Sequence, residues 1–150
     1  MEIQKLTVND KELIEQCDKL LIEFLNEEAI YDTNLTKSKN TNSLLVDIAN
    51  QNNILLIAKE NEEVLGFLFG YIEKNNKNIQ EVAHLSFIYV KNEYRNNKIA
   101  TKLIDEFISF VKKEDIEIIE VKCYKNNEIA NKLYIKYGFD ILWSNYRKKI

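Results

Sequence analysis

Apolar residues recur at helical spacing along the first third of the chain. Leu13, Ile14, Cys17, Leu20, Leu21, Phe24 and Leu25 form one broad stripe, and Asn9-Asp10-Lys11-Glu12 before them supplies a capping side chain and an early Glu. This predicts a helix, preceded by a short edge strand over residues 2–8. Residues 27–40 are polar and read as a connection, and Leu44, Leu45 and Ile48 predict a second, shorter helix from about Asn42. The pattern then turns β-rich. Residues 54–59 and 63–73 flank Glu60-Asn61-Glu62 and predict an antiparallel hairpin, and Asn75-Asn76-Lys77-Asn78 reads as the next turn. Residues 82–90 are apolar on both parities, as in a strand covered on both faces. Ile99, Leu103, Phe107, Phe110 and Val111 predict a helix over residues 98–113, followed by a strand over 116–123. Asn126 or Asn127 opens a helix to Tyr137, with Gly138 in the position that ends helices in a left-handed turn. Residues 139–143 and 146–150 predict two last strands.

The order is β-α-α-β-β-β-α-β-α-β-β. A strand–helix–strand run over residues 82–123 requires a parallel pair with a crossover helix, and the hairpin before it makes the sheet mixed. The periodicity therefore predicts an α/β sandwich. The chain has 150 residues, with no Pro, three Gly and no linker or repeat, so one domain over residues 1–150 is expected.

Composition narrows the function classes. The formal net charge of −3 gives no basic face for nucleic acid. No apolar run approaches the length of a membrane span, and no signal-peptide core follows Met1, so a soluble cytoplasmic protein is expected. Cys17 and Cys123 are too few and too far apart for a metal site or a disulfide framework. No metal is expected. Only two arginines, Arg95 and Arg147, stand among nineteen lysines, and bidentate phosphate contact favours Arg.

The strongest chemical signal lies between the strand at 82–90 and the helix after it. A polar loop leads into a helix start, where unpaired N–H groups and the helix dipole suit a pyrophosphate, and Arg95, Lys98 and Lys102 add positive charge. The run Tyr94-Arg95-Asn96-Asn97-Lys98-Ile99-Ala100 resembles motif A of the GNAT (GCN5-related N-acetyltransferase) superfamily, Arg/Gln-x-x-Gly-x-Gly/Ala. Arg95 and Ala100 fit its ends. Lys98 stands where the family usually has Gly, whose missing side chain permits close backbone approach to phosphate. A second run, Asn127-x-x-Ala130-x-x-Leu133-Tyr134-x-x-Tyr137-Gly138-Phe139, resembles motif B, with one helix and one strand between the two.

The resemblance implies a GNAT-like fold: a mixed, mostly antiparallel sheet with a splayed parallel central strand pair and helices on both faces. It implies acetyl-CoA as acyl donor and a primary amine of a small molecule or protein as acceptor. Dimers are frequent among similar proteins, so a homodimer is compatible with it. Backbone groups of Ile88, Tyr89 and Val90 would hold the pantetheine arm. Arg95, Asn96, Asn97, Lys98, Ile99, Ala100 and Thr101 would hold the pyrophosphate, with Asn127 and Tyr134 nearby. The Tyr134 phenol would protonate the leaving thiolate. His84, the only histidine, lies where several GNAT branches carry a general-base Glu, and an imidazole titrating at about pH 6.5 can take the ammonium proton. Strict alternation puts His84 on one face with Ser86 and Ile88. Glu81 is the fallback base. Glu27, Glu28, Tyr31 and Asp32, in the connection after the first helix, would attract a cationic amine. The alternative is a non-catalytic acyl-CoA-binding or regulatory module on the same fold.

Overall fold

The computed structural model describes residues 1–32, 42–74 and 80–150. The expected turn at residues 75–78 and most of the connection up to Asn40 lie outside them. The elements run β1 (Glu2–Lys5), α1 (Lys11–Glu28), α2 (Leu44–Ile48), β2 (Asn53–Glu60), β3 (Glu63–Glu73), β4 (Val82–Val90), α3 (Ile99–Lys113), β5 (Ile118–Val121) and α4 (Glu128–Lys136). The strands form one sheet in the order β1-β2-β3-β4-β5, antiparallel throughout except for the parallel pair β4·β5.

Two apolar layers cover the sheet. On one face, Ile14, Cys17, Leu20 and Leu21 of α1 and Leu44 of α2 pack on Leu55, Ile57, Phe67, Phe69 and Tyr89. On the other, Ile99, Leu103, Phe107 and Val111 of α3 pack on Leu56, Leu68, Leu85 and Val90, and Tyr134 of α4 joins them. The strands are apolar on both parities because both faces are covered. Burial pushes the Cys17 thiol up to about 12. Among the described residues no helix is long and apolar enough to cross a membrane.

Local details decide the element ends. Asp10 stands at the α1 N-cap but gives that helix no side-chain bond; its carboxylate accepts instead from the Thr7 N–H and hydroxyl. Ser43 caps α2, and Asp18 of α1 accepts both the Leu44 N–H and the Ser43 hydroxyl, which ties the two helices together. The α1 helix runs through Glu28, so Glu27 and Glu28 form its last turn and are not part of a loop. Asn127 caps α4 through the Ala130 N–H at 3.2 Å, and Gly138 ends that helix at φ 83°.

The two expected last strands do not form. Residues 139–150 carry no regular structure, and Ile141, Leu142 and Tyr146 are 85%, 72% and 93% exposed. Side chains that bury little cannot offset the entropy of ordering a strand. The segment is held at points instead: Phe139 lies edge-on to Tyr134, Lys122 lies over Trp143, and Arg147 forks onto Asp32.

Two of the three glycines sit where strands and helix close in. A Cβ on Gly70 would lie 2.6 Å from the His84 carbonyl oxygen and 2.6 Å from the Phe107 ring, both in fixed positions in the core. Gly70→Ala is therefore expected to destabilise the protein by about 1–3 kcal/mol, as overpacking does. Urea unfolding measures this, and an unchanged midpoint would contradict the packing described.

Candidate active site

The site begins where β4 and β5 part. They pair from Val82↔Ile118 to Leu85↔Val121, so from Ser86 to Val90 the edge of β4 that faces β5 carries no strand partner among the described residues. At the same point the register with β3 slips: Gly70 opposes Leu85 and Phe69 opposes Phe87, leaving Ser86 as an extra residue. Such a bulge bends the strand and re-aims its side chains. Below it, Ala83 and Leu85 face α3; above it, Ile88 and Val90 do so, while Phe87 and Tyr89 face α1. The bulge overturns the expected parity. His84 does not share a face with Ile88 but lies on the α1 side, stacked on Tyr71 at 4.7 Å. Its Nε2 is 2.7 Å from a Glu73 carboxylate oxygen, and its Nδ1 is 4.0 Å from Glu120. Glu81 lies half-buried just before β4.

Past Val90 the chain makes a short 3-10 turn at Asn92–Tyr94 and enters the loop before α3. Asn96 and Lys98 are left-handed, at φ 65° and 60°, and Asn97 between them is not. This alternation curls successive N–H groups toward one concave side. The Asn97 side chain closes the turn by donating to the Tyr94 and Arg95 carbonyls, each at 3.2 Å. Among the described residues no side chain caps α3, and its first backbone bond is Lys102 N–H to the Lys98 carbonyl. Among the described residues the amides of Ile99, Ala100 and Thr101 meet no acceptor. Open amides at a dipole's positive end suit a phosphate or pyrophosphate. Lys98 adopts the conformation that the expected Gly takes without strain, at a cost of about 1–2 kcal/mol for an L side chain.

The Arg95 side chain points elsewhere. Its Nε donates to the Val90 carbonyl at 2.9 Å, its Nη2 lies 2.8 and 2.9 Å from the two Glu27 oxygens, and its guanidinium lies 5.3 Å from the Tyr89 ring centre. The Tyr89 hydroxyl donates toward Glu23 and Glu27, at 3.0 and 3.1 Å. Burial and these carboxylates push that phenol's pKa well up. Glu23 escaped the sequence reading, although it lies one helical turn before Glu27. Two carboxylates in the last turn of α1, with no basic residue there, oppose the helix dipole. Arg95 offsets part of that.

Glu28 turns toward α4. The Asn127 side chain donates to it at 3.5 Å, and partial burial raises its pKa, opposed by that bond. Tyr134 lies near: the residue is 8% exposed, and burial, then the neighbouring Cys123 and Glu28, pushes its phenol's pKa well up. Its hydroxyl has no hydrogen bond among the described residues. Tyr31 stacks on Tyr124 at 6.1 Å, and Asp32, 7% exposed, receives Arg147 on both oxygens. Tyr137 fastens α4 to the start of α3, donating to the Thr101 carbonyl and to Asp105, and its pKa is pushed up to about 12 by burial and Asp105. An open cleft of about 180 Å³ lies there, lined by Thr101, Leu133, Lys136 and Tyr137. The end of α1 thus reaches from Arg95 on one side of the β4·β5 gap to Asn127 on the other. Among the described residues no group of three or more His, Cys, Asp or Glu could hold a metal ion.

This arrangement has known counterparts. The sequence profile of the acetyltransferase (GNAT) family matches residues 17–139, and the chain belongs to that family. No curated protein sequence matches it. Among solved structures, a tetramutant of a Bacillus halodurans protein, BH1408, is similar at TM-score 0.85 with 16% identity, covering 100% of both chains. An aminoglycoside acetyltransferase from an uncultured soil metagenomic sample, in complex with trehalose, is similar at TM-score 0.77 with 17% identity, covering 99% of this chain and 95% of that one. A ribosomal-protein-alanine N-acetyltransferase from Brucella melitensis biovar Abortus 2308 is similar at 0.72 with 18% identity, covering 100% of both. At these identities the likeness speaks to the fold.

The left-handed Lys98 gives a test. Lys98→Gly relieves the strain but loosens the unfolded chain, so stability is expected to stay level or rise by up to about 1 kcal/mol. Lys98→Val, β-branched at a positive φ, is expected to lose more than about 1 kcal/mol. Urea midpoints in the order Gly ≥ Lys > Val fit this backbone; Val equal to Lys would not.

Proposed function

We propose that the chain is an acetyl-CoA-dependent N-acetyltransferase that passes an acetyl group directly to a primary amine of a small molecule or protein. The observation that carries this reading is the end of β4·β5 pairing at Leu85 and Val121, with the open amides of the α3 start following β4 and the Tyr134 phenol close to Cys123, two residues past the end of β5. The loop amides from Asn96 to Thr101, with Lys98 adding charge, suit the pyrophosphate. The backbone edge from Ser86 to Tyr89, which has no strand partner among the described residues, suits the amide-bearing pantetheine arm, as a strand edge does a partner strand; the Val90 carbonyl beyond it is taken by Arg95 Nε.

The chain's own groups then divide the proton work. The amine must lose a proton before its lone pair can attack the thioester carbonyl carbon. His84 is our candidate acceptor, with Glu81 as the second choice. His84 faces α1, so the amine would approach from that side, drawn by Glu27, Glu28, Tyr31 and Asp32. Tyr134 lies on the α3 side, where the carbon–sulfur bond breaks. The Tyr134 phenol, protonated at neutral pH, can give its proton to the departing sulfur and recover one from the new amide nitrogen through water; burial raises its pKa in the free chain and works against that transfer, so the role rests on its position. Lys98 at a usual Gly position favours a second reading, a non-catalytic acyl-CoA-binding module. The Tyr134 phenol, with no hydrogen bond among the described residues and close to Cys123 and Glu28, favours catalysis.

Acetyl-CoA at millimolar concentration is expected to raise the melting temperature, and no shift would contradict both readings. Thiol release is then measured with sisomicin, the ligand of one solved form of the aminoglycoside acetyltransferase, with a peptide bearing an N-terminal alanine, and with spermidine. Release with any of them favours the enzyme; binding without release favours the module. In the enzyme, Tyr134→Phe is expected to lower kcat on the order of 10²-fold with CoA affinity nearly unchanged. Equal kcat would remove the acid role. His84→Ala is expected to abolish the acidic limb of the pH–rate profile, and an unaltered profile would remove the base role.

A further inference from the structure

Both arginines of the chain are engaged by carboxylates at or just beyond the end of α1: Arg95 by Glu27 and Arg147 by Asp32. The first pair spans the two halves of the site. Arg95 opens the loop whose amides face the donor's phosphates, while Glu27 belongs to the acidic group that would draw the amine. We infer that acyl-CoA and Glu27 compete for Arg95, so that binding of the donor releases a carboxylate for the acceptor. This inference rests on the acyl-CoA reading above and adds a coupling between its two substrates.

The geometry is suited to exchange. The Nε–Val90 bond anchors the base of the guanidinium, and Nη2 alone serves Glu27. Swinging that edge toward the loop keeps the Val90 bond and gives up one ion pair, which is half-exposed on both sides and so cheaply broken. A guanidinium meets a doubly charged pyrophosphate more strongly than a single carboxylate. Glu27 is not stranded when Arg95 leaves, because the Tyr89 hydroxyl still reaches it. The Tyr89 hydroxyl stands between Glu23 and Glu27, and Arg95 is the cation paired there. Once Arg95 turns away, the two carboxylates carry uncompensated charge beside the gap. That charge would hold an ammonium group at the α1 face. The amine therefore binds better after acyl-CoA than before it, and by linkage the amine tightens acyl-CoA in return.

Titration calorimetry of CoA into the full chain tests this without knowing the acceptor. Glu27→Gln removes the competitor, and CoA is expected to bind about fivefold tighter, the upper size expected for one half-exposed ion pair. Glu23→Gln, which removes a charge at the same spot but not from Arg95, is expected to change affinity less than about twofold. Arg95→Gln is expected to weaken CoA, and adding Glu27→Gln to it should do nothing further, since the two act through one contact. Glu27→Ala repeats the measurement should Gln keep a hydrogen bond to Arg95. Unchanged or weaker binding in both Glu27 variants would overturn the competition. So would equal tightening with and without Arg95. If the wild-type chain binds no CoA, the acyl-CoA reading itself fails; if it binds CoA and both Glu27 variants leave affinity unchanged, only the exchange fails.

Discussion

The structure depends on one parting: β4 and β5 hold together for four residue pairs and then separate. A parallel pair that stayed closed would satisfy its backbone and leave no site. Here the extra residue Ser86 bends β4 at the point of separation, while β5 ends at Val121 and the chain turns toward α4. Backbone groups that a longer sheet would consume are left without a strand partner among the described residues. Everything else in the site is arranged around that opening.

The rest of the fold makes the opening affordable. Apolar layers on both faces bury Phe67, Phe107, Leu68 and Leu103 completely, and the long β2, β3 and β4 ladders stabilise the sheet well away from its weak pair. Tyr137 bonds to Thr101 and Asp105 and so locks α4 against α3 on one rim. Glu27 and Glu28 reach Arg95 and Asn127 from the other face. The costs are visible as local conflicts: carboxylates at the negative end of a helix, Lys98 in a left-handed conformation, a helix start without a cap. Local conflicts of this kind are what a functional site requires of a sequence that is otherwise consistent.

Much of this was legible in the sequence. The helices at α1, α3 and α4, the hairpin, the parallel crossover and the Asn127 and Gly138 ends follow from periodicity and capping chemistry, because those are local. The two motifs located the loop and α4 because their spacing mirrors the elements. What was hidden depends on tertiary pairing. A bulge at Ser86 leaves no mark in a run of apolar residues, so strict alternation puts His84 on the wrong face. The last twelve residues have strand-like composition, but composition cannot tell whether a neighbour exists to receive them. Arg95 was assigned to phosphate alone because its partner lies 68 positions earlier in the chain, a contact that no local pattern contains.

The central claim is that the parted strand edge and the uncapped start of α3 together receive an acyl-CoA. Backbone amide NMR of the full chain, titrated with CoA, tests it most directly. The account predicts large shifts for the amides of Ser86 to Val90 and of Asn96 to Thr101, with those of β1 and of the β4·β5 pair at Val82 to Ala83 nearly still. Shifts confined to other surfaces, or none at saturating CoA, would contradict it.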